Sequence, residues 1–312
     1  MSAGKASAAG RPTLRSRQTG WRASYQPDRR RAWHRILLSS PGSMASLIFL
    51  GAVIVLSVLA PFFAPADPTF IDPSVRLRPP STAHWLGTDD LGRDVFSRLI
   101  HAGRVSLVVA GSVTFASATL GALIGLLAGY YRRLDGLLMR LMDGIMAFPG
   151  VLLAIAVVVA LGPRLRSVML ALALVYVPVV ARLIRATTLL IRELPYVEAA
   201  HCIGLSDGRI LRRYILANSL SPLIVQCTFI AAYAILAESS LSFLGASVNP
   251  ETPTWGNMLR DGQRLISTAW WMAVAPGVTL FCTVLACTVL GDGLRDALDP
   301  RTRERRNDAT FR

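Results

Sequence analysis

YVEAAHCIGLSDGRILRR, Tyr196 to Arg213, is a charged stretch with two glycines set between two long apolar segments. Pro195, just before it, suits the first turn of a helix, where its missing N–H costs nothing. Val197, Ala200 and Ile203 then share one face. Glu198 lies in the first turn, where the helix dipole favours an acid. Gly204 stands where a helix ends with positive φ. Ser206 or Asp207 can cap a second helix. In that helix Ile210, Leu211, Tyr214 and Ile215 form an apolar stripe, while Arg209, Arg212 and Arg213 face elsewhere. The spacing therefore predicts a short helix, a glycine turn and a second helix leading into an apolar segment. Two readings fit this pattern. The stretch is an amphipathic loop lying on a bilayer, or a docking element whose small residues, Ala199 and Ala200, let a soluble partner come close.

The flanks belong to a membrane protein. Of 312 residues, 53% are hydrophobic and only 17% charged, whereas soluble domains carry about 25% charged residues. Six spans are expected: Met44–Ala64, Val105–Gly129, Leu141–Leu161, Ser167–Ile191, Ala217–Ala237 and Trp270–Leu290. Most have roughly 20 residues, enough for a hydrocarbon core of about 30 Å. Pro178, Pro222 and Pro276 interrupt three of them, which membrane helices tolerate when neighbours satisfy the freed carbonyls. Arg182 and Arg185 near the end of the fourth are expected to reach water. Ala64-Pro65-Ala66 resembles a cleavage site only loosely. The apolar run before it is longer than a signal peptide needs, and a 43-residue tail precedes it.

The net charge is +14, and the distribution of Lys and Arg sets direction. With the N-terminus inside, the inner segments hold 24 of the 33 Lys and Arg and the outer ones nine. The positive-inside rule then places both termini and the Tyr196–Arg213 stretch in the cytoplasm. The expected organisation is a basic, largely disordered tail over 1–43, and a first span with an extracytoplasmic segment over 44–104. A core membrane domain over 105–290 follows, with its cytoplasmic loop at 192–216, and then a C-terminal tail over 291–312. Arg29, Arg30, Arg31 and Arg35 are expected on anionic lipid headgroups rather than on nucleic acid, because the basic residues form no single patch.

The other polar groups read mostly as structural. Asp89, Asp90, Arg93 and Asp94 lack the alternating ligands of a calcium loop. They are expected to cap a short interfacial helix or to form an outer docking surface. Glu238 either performs a membrane function or meets the outer interface. Asp143 can pair with Arg140. Tyr130-Tyr131-Arg132-Arg133 reads as an interfacial anchor, and Trp255, Trp270 and Trp271 as an outer aromatic belt. Gly121, Gly125 and Gly129 recur every four residues and predict a helix-packing face. No G-x-x-x-x-G-K-[ST] stretch occurs, so the chain is not expected to bind ATP. Cys202, Cys227, Cys282 and Cys287 form no C-x-x-C pair and suggest neither disulfides nor a metal site.

Two other function classes lack their patterns. An intramembrane enzyme needs a nucleophile beside a base, yet His101 and His201 are expected on opposite sides of the membrane. A secondary carrier is expected to show paired halves and mid-membrane charges, and neither is visible here.

Four blocks carry a resemblance. E-A-A, three residues, G, nine residues and Y-I-L-A-N (Glu198–Asn218) resembles the EAA loop of ABC-transporter permeases. HWLGTDDLGRDVFSRLIHAGRVSL (His84–Leu107), LSFLGASVNPETPTWGNML (Leu241–Leu259) and GDGLRDALDPR (Gly291–Arg301) resemble the dipeptide/oligopeptide/nickel branch of that family, C-subunit type. The chain departs from the pattern at Ala217, where a proline is usual, and at Tyr214, where that branch often has a histidine.

The resemblance implies an all-α protein of the type I, MetI-like architecture, in a bacterial or archaeal inner membrane. It implies a pore-forming, non-enzymatic subunit of an importer for dipeptides or oligopeptides, with nickel or another small solute as the alternative. The implied partners are a second, homologous permease, two cytoplasmic ATPases that hold ATP and Mg, a substrate-binding protein and membrane lipids. The residues it implies for ATPase coupling are Tyr196, Glu198, Ala199, Ala200, Gly204, Leu205 and Arg212. It assigns no catalytic residue and no metal ligand, and it leaves the substrate pathway open.

Overall fold

The computed structural model describes residues 40–247 and 251–298. The expectations for most of the 1–43 tail and for 299–312 fall outside those residues, as do Val248, Asn249 and Pro250 of the block after the fifth span. Among the described residues there are helices and connecting turns and no strand element.

Nine helices of eight or more residues carry the architecture among the described residues. They are α1 (Pro41–Val58), α2 (Val95–Tyr130), α3 (Arg132–Met146), α4 (Gly150–Leu161) and α5 (Leu165–Arg192). Then come α6 (Pro195–Cys202), α7 (Asp207–Phe243), α8 (Trp255–Arg264) and α9 (Trp271–Leu298). α1, α2, α5, α7 and α9 are each long and apolar enough to cross a membrane.

The expected third span is not one helix. Its residues belong to α3 and α4, which meet at 88°. Pro149 is the cause: it disfavours helix at Phe148 and cannot donate to the preceding turn. At 1.5 Å per residue, the 12 residues of α4 reach only about 18 Å, short of a bilayer core. α2 is longer than expected, because Asp94 caps it from outside the apolar run. The Asp94 carboxylate accepts from the Ser97 backbone N–H and hydroxyl at 2.8 Å. The predicted short interfacial helix is therefore the first turns of α2 itself.

α2 and α5 form the centre. Gly121, Gly125 and Gly129 lie along their contact. A Cβ on Gly125 would stand 2.5 Å from the Ala181 carbonyl oxygen, and one on Gly121 2.5 Å from the Val180 Cβ. The backbones touch because nothing intervenes, as the four-residue spacing predicts. Around this seam, Val109, Val113, Val168, Ala171, Val180, Ile184, Ile230 and Ala234 pack into one core drawn from α2, α5 and α7.

Polar side chains fix the other helices to this pair. Arg185 grips Asp135 with two bonds of 2.5 and 2.6 Å, and Arg182 reaches Asp143 at 2.5 Å. These arginines clamp α3 to α5, and Asp143 pairs with Arg182 instead of the expected Arg140. The Glu238 carboxylate lies fully buried, accepting from Ser106 at 3.1 Å and Ser242 at 2.7 Å. It joins α7 to α2 inside the bundle and does not meet the outer interface. Of the three tryptophans, only Trp270 is exposed. Trp255 and Trp271 are buried and donate to the Leu99 and Thr88 carbonyls at 3.1 Å, tying α8 and α9 to α2 and the loop before it.

Gly125→Ala is expected to destabilise the protein by about 1–3 kcal/mol through overpacking. Gly111→Ala, where a Cβ meets nothing within 4 Å, is expected to cost far less. Thermal unfolding of the two variants in the same detergent measures the difference.

Candidate functional site

The 192–216 loop folds as its residues dictate. Pro195 opens α6 and Leu194 precedes it in extended conformation. Gly204 has φ +76° and ends the helix. Its N–H bonds the His201 carbonyl at 2.9 Å, and the Leu205 N–H bonds the Ala200 carbonyl at 3.1 Å. This pair of bonds is the Schellman closure, which needs a residue tolerant of positive φ at that one place. Leu205 then folds back over Val197 and Ala200. Ser206 starts the next helix without a side-chain cap bond, and Asp207 follows in its first turn.

The loop rests on the bundle through its own small core. Val197, Ala200, Ile210 and Ile215 are buried with Ile191, against Leu126 and Tyr130 of α2. Ile203 does not join them. It is 75% exposed, because the glycine turn carries the chain away from the α6 face that Val197 and Ala200 occupy.

The structure thus sorts the predicted coupling residues. Tyr196, Glu198, Ala199, Gly204 and Arg212 are exposed. Ala200 is buried and Leu205 half-buried, so these two shape the loop from within. The outward face of α6 carries Tyr196, Glu198, Ala199 and Cys202, extended by Ile203. It is a mostly apolar surface with one acid, presented on a rigid turn.

The exit from the loop differs from the expected plain helix. Within α7, Leu211–Leu216 winds as a π turn, and the helix runs on through it without a break. Ala217 has φ −58°, within the range a proline ring imposes, so its departure from the family pattern leaves the backbone course intact. Tyr214 stacks on Tyr196 with ring centres 6.2 Å apart, and Asn218 donates to the Tyr214 carbonyl at 2.5 Å and to the Tyr196 hydroxyl at 3.4 Å. Sequence reasoning also missed Tyr130. Expected as a simple anchor, it reaches across to Asp207 at 2.8 Å and His201 at 2.9 Å. Only the folded loop brings residues 71 and 77 positions apart together.

At the far end of the bundle a second charged group forms. Asp89 takes Arg93 at 2.6 Å and lies 3.7 Å from Arg98, while His84 bonds Asp94 at 3.0 Å. Asp89 also accepts from the Leu91 and Arg93 N–H groups at 2.9 Å, closing the turn before α2. Burial holds the Asp261 carboxyl above its usual range, against the pull of Arg260 and Arg98. Asp90, Arg93, Arg260 and Asp261 line an open cleft of about 440 Å³ there.

Known proteins match this chain over most of its length. Residues 121–304 match the model of the binding-protein-dependent transport system inner membrane component, and residues 29–80 match that of the N-terminal transmembrane domain of oligopeptide transport permease C. A relative from Brucella suis is 47% identical over 255 residues, covering 82% of this chain and 86% of that protein. The dipeptide transport system permease protein of Alkalihalophilus pseudofirmus is 41% identical, covering 83% of this chain and 86% of its own. The di/tripeptide transport system permease protein of Pseudomonas aeruginosa is 42% identical, covering 83% and 88%. With its apolar helices gathered on a glycine seam and its EAA loop folded on their end, the chain belongs to the family of inner membrane components of binding-protein-dependent transport systems.

Proposed function

We propose that this chain is one of two pore-forming subunits of an ATP-driven peptide importer in a bacterial inner membrane. In this reading the 192–216 loop faces the cytoplasm and seats an ATPase. The observation that carries it is the outward face of α6. Tyr196, Glu198 and Ala199, with Ile203 just beyond them, stand exposed on a helix whose other face is locked to the end of α2. A partner that moves this face moves the spans, because α6 joins α5 directly and α7 through one glycine turn.

The direction of insertion rests on the lysine and arginine count. ATP and Mg belong to the ATPases, in keeping with the lack of a phosphate-binding motif in this chain. A binding protein delivers the solute from outside, and the cleft beside Asp90 and Arg260 lies at that end of the bundle. Short peptides are the proposed cargo, supported by the dipeptide and di/tripeptide names of two relatives. No residue of this chain performs chemistry on the solute. Its part is to alternate between two openings while hydrolysis proceeds elsewhere.

Glu198→Lys and Gly204→Asp are expected to lower uptake per ATP hydrolysed by about tenfold in the reconstituted complex, as loss of a central docking contact does. Both proteins should still reach the membrane, which immunoblotting of membrane fractions checks. Undiminished coupling in both variants would contradict the docking role. Uptake assays with labelled dipeptides, tripeptides and nickel test the cargo. ATP-dependent uptake of nickel but no peptide would overturn the peptide reading.

A further inference from the structure

Beside the loop, where α2 ends, lies an open cleft of about 420 Å³ lined by Tyr130, Tyr131, Arg132, Arg192, Glu193, His201 and Asp207. Two hydrogen bonds cross it, and a third braces the histidine ring within α6. The Tyr130 hydroxyl lies 2.8 Å from Asp207 Oδ1 and 2.9 Å from His201 Nε2, and His201 Nδ1 lies 2.9 Å from the Val197 carbonyl. Their directions can be worked out from donor capacity. A carbonyl only accepts, so Nδ1 carries a proton. An ionised carboxylate only accepts, so Tyr130 spends its single proton on Asp207. The Tyr130 oxygen must then accept, and Nε2 must donate to it. With Asp207 ionised, all three bonds coexist only when both ring nitrogens of His201 are protonated. In the neutral ring that keeps its Nδ1 proton, Nε2 is bare, and Tyr130 can serve His201 or Asp207 but not both.

We propose that His201, Tyr130 and Asp207 form a proton-dependent latch that holds the loop to the end of α2. With His201 charged, α6 and the start of α7 are both tied to Tyr130. When His201 loses its proton, one tie is lost. The other charged and polar groups facing the ring are Arg192, Glu193, Tyr131, Arg132 and Arg209. Arg192 is engaged by Glu193 at 3.0 Å and by the Gly129 carbonyl at 2.7 Å. Tyr131 approaches Asp207 at 3.5 Å, Arg132 lines the cleft, and Arg209 shares the helical turn of Asp207. Arginines stay charged throughout, so the proton that the bond pattern requires is the one on His201 Nε2. The latch is complete while both ring nitrogens carry protons, and it loses one tie when Nε2 gives its proton up. His201, Tyr130 and Asp207 are thus positioning residues for the loop, and their effect on transport rests on the docking role proposed above.

Two measurements separate the latch from that role. In the first, a spin label on Cys202 reports loop mobility in the full chain in lipid nanodiscs, with Cys227, Cys282 and Cys287 replaced by alanine. The wild-type label is expected to loosen as pH rises from about 5 to 8. It should be loose throughout in Tyr130→Phe and His201→Leu, and held throughout in His201→Lys, which keeps a charged donor. Spectra that do not change with pH, or that change equally in His201→Leu, would overturn the latch. In the second, uptake per ATP is followed over the same pH interval in the complex with its ATPases and binding protein. A fall of about threefold is expected in the wild type, the size an exposed charge-assisted contact carries. His201→Lys should stay high and His201→Leu low. A pH-dependent label with pH-independent coupling would leave the latch standing and refute its link to docking.

Discussion

Everything in this molecule depends on how closely α2 and α5 approach. Gly121, Gly125 and Gly129 leave no side chain between the two backbones, so the helices meet at a distance only glycine permits. In a bilayer, burying apolar surface gives little net drive, since lipid is as apolar as leucine, and close packing must supply the association. The seam does more than bind two helices. It places the end of α2, with Leu126 and Tyr130, beside the end of α5, with Ile191, and so creates the platform on which the loop folds.

From that platform the polar ties spread outward, some between buried groups and some at the bundle's surface. Glu238 finds two serines, and the indole N–H groups of Trp255 and Trp271 find backbone carbonyls. Arg182 and Arg185 find acids on α3. These ties explain how a helix bent by 88° at Pro149 can keep a fixed place against the bundle. The loop, by contrast, is held by its own small apolar core. α6 is packed on one side, closed at its end by a glycine turn, and bare on the other.

Much of this was legible in the sequence. Apolar length alone marks five of the spans, and the Pro195 to Gly204 interval gives α6 with its turn. The four-residue glycine spacing gives the seam. What was not legible depends on geometry that only the fold supplies. Hydropathy ran straight through Phe148-Pro149, since a break there changes direction and not polarity. The Thr254–Asn257 capping box that starts α8 closes only when the Thr254 and Asn257 side chains meet each other's backbone N–H. Ile203 was placed on the inner face by helical spacing, yet it follows the last helical residue, where that spacing no longer applies. Tyr130 looked like an interfacial anchor because nothing in its neighbours points to His201 and Asp207, which arrive from far along the chain.

The central claim is that the outward face of α6 is covered by a cytoplasmic ATPase. Cys202 lies on that face and is exposed, while the other three cysteines are only half-exposed. Its rate of reaction with a bulky water-soluble maleimide, compared between the permease alone and the complex assembled with its ATPases, is the most direct measurement. A marked loss of labelling on assembly is the predicted result. Equal labelling in an assembled, transport-competent complex would contradict the claim.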